Sequence, residues 1–92
     1  MKFNEELNVM VITTKKILNK KSPILFVSHD ADDGMWQFLD GKEANFDEAM
    51  IVGLEEIVNI DNSLNDIADL ELGWYAWRET RTGNWIRAKN EE

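Results

Sequence analysis

Apolar and polar positions change rhythm several times along the chain, and each change marks an expected element. Val9 to Ile12 is a short apolar run rich in β-branched residues, followed by Thr13 and Thr14, and it predicts a strand. Lys15 to Lys21 sets Ile17 and Leu18 among lysines, enough for a single helical turn at most. Ser22-Pro23 stops that turn, because proline disfavours the helical conformation in the residue before it. Ile24 to Ser28 is apolar on both faces and predicts a central strand. His29 to Gly34 is polar and ends in Asp33-Gly34, a pair suited to positive φ. Met35 to Leu39 is apolar again, and Asp40-Gly41 closes it. Strand, Asp-rich turn and strand together predict a hairpin.

The second half is more mixed. Lys42 to Glu48 reads as a polar connector anchored by Phe46. Met50 to Ile60 predicts a strand over Met50, Ile51 and Val52 that passes into one helical turn, with Leu54, Ile57 and Val58 inside and Glu55 and Glu56 outside. Asp61 to Leu70 predicts a short helix capped by Asp61 or Asn62, with Leu64, Ile67, Ala68 and Leu70 on one face and Gly73 ending it. Trp74 to Arg78 alternates as a strand, with Trp74, Ala76 and Arg78 on one side and Tyr75 and Trp77 on the other. Thr82-Gly83-Asn84 turns the chain, Trp85 to Arg87 returns as a last strand, and Asn90 to Glu92 reads as a frayed tail. The expected class is α+β: a small, mostly antiparallel sheet with one or two short helices, in one domain over residues 1–92.

Composition adds limits. An apolar content of 43% beside 30% charged residues supports a folded core, and four Trp and four Phe enlarge the area each residue can bury. The absence of cysteine removes disulfides, thiolate metal sites and cysteine nucleophiles, and favours a reducing compartment. Met1 to Met10 contains Glu5 and Glu6 and no continuous apolar run, so it does not read as a signal peptide. No segment has the roughly 20 apolar residues needed to cross a bilayer. A soluble, cytoplasmic protein without a membrane partner is expected.

The formal net charge is −8, unevenly placed: from Asp30 to Glu71 there are thirteen acids and one base, Lys42. Such a body repels phosphate backbones, so no nucleic-acid partner is expected, despite Arg78, Arg81, Arg87 and Lys89 near the end. It attracts a basic protein surface.

Candidate chemistry concentrates at His29, Asp30, Asp32 and Asp33. Imidazole and carboxylates at this density suit a divalent cation. The run from Asp30 to Gly34 misses the spacing of a calcium loop, because glycine comes fifth where that loop needs it sixth, and Gly41 stands where its Glu belongs. A turn whose aspartates cap their own backbone explains the same residues. Ser28 and His29 are adjacent on a strand and point to opposite faces, so they form no nucleophile–base pair. The glycines are isolated, which leaves no phosphate-binding loop. No catalytic residues and no cofactor are expected. Trp36, Phe38, Trp74, Tyr75, Trp77 and Trp85 read mainly as core, with one Trp partly exposed and an arginine, Arg78 or Arg87, over a Trp face.

The stretch from His29 to Gly41, His-Asp-Ala-Asp-Asp-Gly-Met-Trp-Gln-Phe-Leu-Asp-Gly, resembles the signature of a bacterial family of small uncharacterised proteins. Leu54-Glu55-Glu56-Ile57, Asp61-Asn62-Ser63-Leu64, Leu72 to Arg78 and Trp85-Ile86-Arg87 follow in the family's order, so the likeness covers residues 24–87. The resemblance implies a small α+β domain without established enzymatic activity, in a family where some members have been proposed as immunity proteins against toxins of competing bacteria. The expected function is therefore a non-enzymatic protein-binding domain, an immunity or regulatory protein acting through an acidic surface on a basic protein partner. Its expected contact residues are His29, Asp30, Asp32, Asp33 and Trp36. The alternative is a metal or small-ligand site at the Asp-rich hairpin turn. The oligomeric state stays open.

Overall fold

Six strands form one sheet in the order β4-β1-β3-β2-β5-β6. The computed structural model describes residues 2–41 and 48–90. The expected connector from Lys42 with its Phe46 anchor, and the last two residues of the expected tail, lie outside the described residues; Asn90 donates its backbone N–H to Gly73 O at 2.7 Å.

Strand β1 (Met10–Thr14) runs into α1 (Lys15–Leu18), a single turn capped by the Thr14 hydroxyl, which accepts from the Ile17 N–H. The chain then enters β2 (Phe26–His29), turns through the Asp-rich segment, and returns as β3 (Trp36–Leu39). β2 and β3 pair antiparallel, Val27 opposite Phe38 and His29 opposite Trp36, which is the hairpin expected from Asp33-Gly34. β4 (Ala49–Gly53) passes into α2 (Leu54–Ile60). A 3-10 helix (Asn62–Ile67) follows, then β5 (Trp74–Trp77) and β6 (Ile86–Lys89).

The α+β class holds, but the sheet is mixed where a mostly antiparallel one was expected: β1 and β3 run parallel, with Ile12 beside Gln37. The cause is two reversals between them. α1 and its loop turn the chain once, the Asp turn reverses it again, and β3 inserts between β1 and β2 in the direction of β1. The helical segments also differ from expectation. α2 extends over seven residues instead of one turn, because Leu54, Ile57 and Val58 all find buried places under the sheet. The segment after it winds as a 3-10 helix, whose three-residue repeat stacks Leu64 over Ile67 on the buried side.

The core is one-sided. Val11, Val27, Phe38 and Ala76 point from one face of the sheet onto Leu54, Ile57, Leu64 and Ile67, and all eight are fully buried. Phe3 closes the N-terminal side, edge-on to Trp36 with ring centroids 5.0 Å apart. Among the described residues no helix is long and apolar enough to cross a membrane.

Candidate functional site

The Asp-rich turn closes largely on itself. Asp30 donates its N–H to Met35 O and accepts from the Gly34 N–H at its own carbonyl, both at 2.8 Å. Asp33 Oδ1 accepts from the Met35 N–H at 2.9 Å, and Asp30 Oδ2 accepts from Gln37 Nε2 at 2.6 Å. Gly34 sits at φ +75°, and an added Cβ there would meet no atom within 4 Å. Gly34→Ala therefore faces only a backbone penalty, expected near 1 kcal/mol. A drop in the urea midpoint of that size, with unchanged slope, checks it.

His29 and Trp36 lie on the opposite side of the hairpin from this network, inside the core face. Their rings stack at 4.1 Å between centroids, and Trp36 is 2% exposed. His29 Nδ1 donates to Leu70 O at 2.8 Å, while its Nε2 faces Glu5 Oε2 at 3.7 Å. The same carboxylate accepts from Trp36 Nε1 at 2.8 Å. Of the five residues expected at a contact, Trp36 thus offers a partner no ring surface, and His29 is held between Leu70 and Glu5. Asp32 and Asp33 are exposed and Asp30 half-buried. The alternative of a metal at His29, Asp30, Asp32 and Asp33 finds no convergence: among the described residues no group of three or more His, Asp or Glu is placed to hold an ion.

Two of the basic residues at the C-terminal end, Arg78 and Arg87, are also committed. Arg78 is 3% exposed. It donates to Asp61 Oδ2 at 2.6 Å, to Ser63 Oγ at 2.9 Å, and through Nε and Nη2 to Ile24 O. Its guanidinium lies 4.1 Å from the centre of the Trp85 ring, so the expected arginine–Trp contact is present and internal. Burial works to raise the Asp61 pKa, but hydrogen bonds from Ser63 and Arg78 and the arginine charge outweigh it, and the carboxyl is held below its ordinary value. Arg87 bonds Asp69 at 2.7 Å and Asp66 O at 2.9 Å. Its hydrogen bond and charge hold Asp69 below the usual carboxylate range.

The other face of the sheet is open only in part, since Thr14 and Leu39 on it are 4% exposed. The strand registers place Met10, Ile12 and Thr14 of β1, Ala49, Ile51 and Gly53 of β4, and Gln37 and Leu39 of β3 on it. Phe26 and Ser28 of β2, Tyr75 and Trp77 of β5, and Ile86 and Ala88 of β6 complete the row. None of these strand positions carries a formal charge, in a chain that is 30% charged. Ile51 is 66% exposed, Met10 51%, Ile86 49% and Trp77 36%. Phe26 stacks on Tyr75 at 5.4 Å, and a hollow of about 320 Å³ opens beside them, lined also by Trp77, Asp40 and Gly41. A sheet with one solvated face ordinarily alternates apolar with polar; on this one the outer strand positions are mostly apolar, with Thr14, Gln37 and Ser28 as the polar exceptions.

The signal was present in the sequence as unbroken apolar runs, Ile24 to Val27 and Met50 to Val52, where alternation would have indicated a wet face. The acids are displaced elsewhere: Glu55, Glu56, Asp66, Asp69 and Glu71 are exposed on the helical side. No family model matches the chain, and neither a curated protein nor a solved structure matches it significantly.

Proposed function

We propose that this chain is a non-enzymatic protein-binding domain, an immunity or regulatory protein of the cytoplasm. The observation that supports it is the uncharged apolar sheet face, which burial against a protein surface would stabilise at about 25 cal/mol per Å² of apolar area. The acidic helical side and the exposed Asp32 and Asp33 add a long-range attraction for a basic partner, raising the encounter rate at low salt. The likeness of the His29 to Gly41 stretch to a family with proposed immunity proteins points the same way.

The test is capture of proteins on immobilised wild type, Trp77→Glu and Asp32→Lys/Asp33→Lys, at low and high salt. A stoichiometric basic protein, held by wild type and released by charge reversal at the turn, is the expected result. No protein held by wild type at either salt, from the host or from a panel of basic toxins, would overturn the reading of a basic partner.

A further inference from the structure

We propose that the free edge of β4 takes up an extended strand of a basic partner protein, with one lysine or arginine laid in the hollow beside Gly53. The proposal rests on the reading of this chain as a protein-binding domain and names where the partner attaches.

The strand order leaves two edges, β4 and β6, and they are built differently. β6 carries Arg87 and Lys89, both exposed, and charge of this kind keeps other chains from adding to a sheet. β4 reads Ala49-Met50-Ile51-Val52-Gly53, with no charge and no proline, and Ala49 and Ile51 are exposed. It lacks the usual protection.

The register shows which backbone groups of β4 are unused. Leu54 donates to Val9 O at 2.9 Å, continuing the ladder that sets Val52 opposite Val11 and Met50 opposite Thr13. Bonded positions alternate in an antiparallel pair, so the N–H and C=O groups of Met50 and Val52 face β1. The Ala49 C=O, both groups of Ile51 and the Gly53 N–H face outward. Among the described residues no hydrogen bond reaches these four. An extended backbone offers donors and acceptors at that spacing, and adding a strand to an open edge is a general mode of peptide recognition.

The hollow chooses the chemistry of that strand. At the Gly53 end of the edge a depression of about 290 Å³ is lined by Leu7 and Met10 and by Glu55 and Glu56. Met10 lies opposite Gly53 on β1, and the glycine puts no side chain between it and the edge. Met10 is 51% exposed and Leu7 45%. Glu55 and Glu56 are exposed, and among the described residues neither forms an ion pair. Apolar side chains beside free carboxylates match the alkyl stem and cationic head of lysine or arginine. A second β4 lacks that match: it brings no cation, and two copies at −8 each repel.

The test is an NMR titration of isotope-labelled protein with the capped peptide Lys-Thr-Val-Thr-Val-Thr-Arg. Binding with a dissociation constant of about 1 mM or tighter is expected, weakening with salt. The largest shifts should fall on the amides of Ile51 and Gly53. N-methylation of alternate peptide residues should abolish binding for one set and spare it for the other, because one side of an added strand faces β4. Glu55→Lys/Glu56→Lys should weaken binding at least about 10-fold and remove most of its salt dependence. Ile51→Pro removes an outward N–H at an edge position, where proline is tolerated, and should abolish binding. Circular dichroism confirms that the variants are folded, and the N-methylated peptides need no variant at all.

No shift at these amides with peptide at about 5 mM overturns the proposal, as do equal losses from both N-methylated sets. An Ile51 amide that shifts with protein concentration alone also overturns it, and gives the edge to a second copy. If the peptide fails while a basic protein is still captured and released by Asp32→Lys/Asp33→Lys, the binding-domain reading stands without this edge. If capture fails as well, both fall.

Discussion

Arg78→Ala is expected to destabilise the fold by about 3–5 kcal/mol, enough to unfold much of a domain whose total stability is on the order of 5 kcal/mol. The arginine is the shared donor for Asp61, Ser63 and Ile24 O. Its side chain is 1% exposed and that of Asp61 6%. Removing the guanidinium strands a carboxylate in the interior, uncovers one face of Trp85, and leaves the Ile24 carbonyl without its donor. Urea denaturation followed by circular dichroism reads the loss. The double variant Arg78→Met/Asp61→Leu should be more stable than Arg78→Met alone, because no charge is then left buried and unpaired. Equal losses in both would show that packing, and not the ion pair, dominates at this position.

The same pair sets an acid limit. The Asp61 pKa is depressed in the folded state relative to about 3.9 unfolded, so its contribution is fully present above that value. It is lost as pH falls from there through the folded pKa. Asp61→Asn should flatten this part of the stability–pH curve.

Trp36→Ala is expected to cost about 3–5 kcal/mol, the range for truncating a large buried aromatic. The ring is stacked between His29 and Phe38, at 4.1 and 5.9 Å. Trp36→Phe keeps much of that packing and should cost less, losing the hydrogen bond to Glu5, about 1 kcal/mol, and part of the ring volume. The comparison bears on more than stability. A tryptophan that served as a partner contact would lose binding on truncation while the urea midpoint held. An unchanged midpoint in Trp36→Ala would therefore overturn its place in the core.

Trp36 also shows where reading the chain by itself runs out. The hairpin was legible because Asp33-Gly34 and its apolar flanks are local signals, and β5 was legible because Trp74 and Ala76 alternate with Tyr75 and Trp77. Whether Trp36 lies inside or outside depends on Glu5 and Phe3, which come from the other side of the fold. Nor do the residues around Arg78 announce a pairing with Asp61, seventeen positions earlier. The sequence offers Asp61 or Asn62 as a helix cap, and Asp61 takes that role, since its Oδ1 accepts from the Ser63 N–H. The second role of that carboxylate, as the arginine's counter-charge, exists only once β5 lies alongside. For the candidate surface the information was in hand but divided. Each apolar run is explained by a buried strand, and only the sheet order puts Ile51, Ile12, Phe26 and Trp77 on the same face, away from the core.

The place of β1 in that order bears on how the protein is made. Its two neighbours in the sheet are β3 and β4, and both lie later in the chain. A chain growing from the N-terminus holds Met10 to Thr14 ready long before Trp36 to Leu39 exists to pair with them. The hairpin of β2 and β3 is the first pair of neighbouring strands that the growing chain completes, and it supplies an edge on which β1 can dock. The first of these six strands to be synthesised thus pairs only after later segments exist, and its apolar side chains wait for the segments that will cover them.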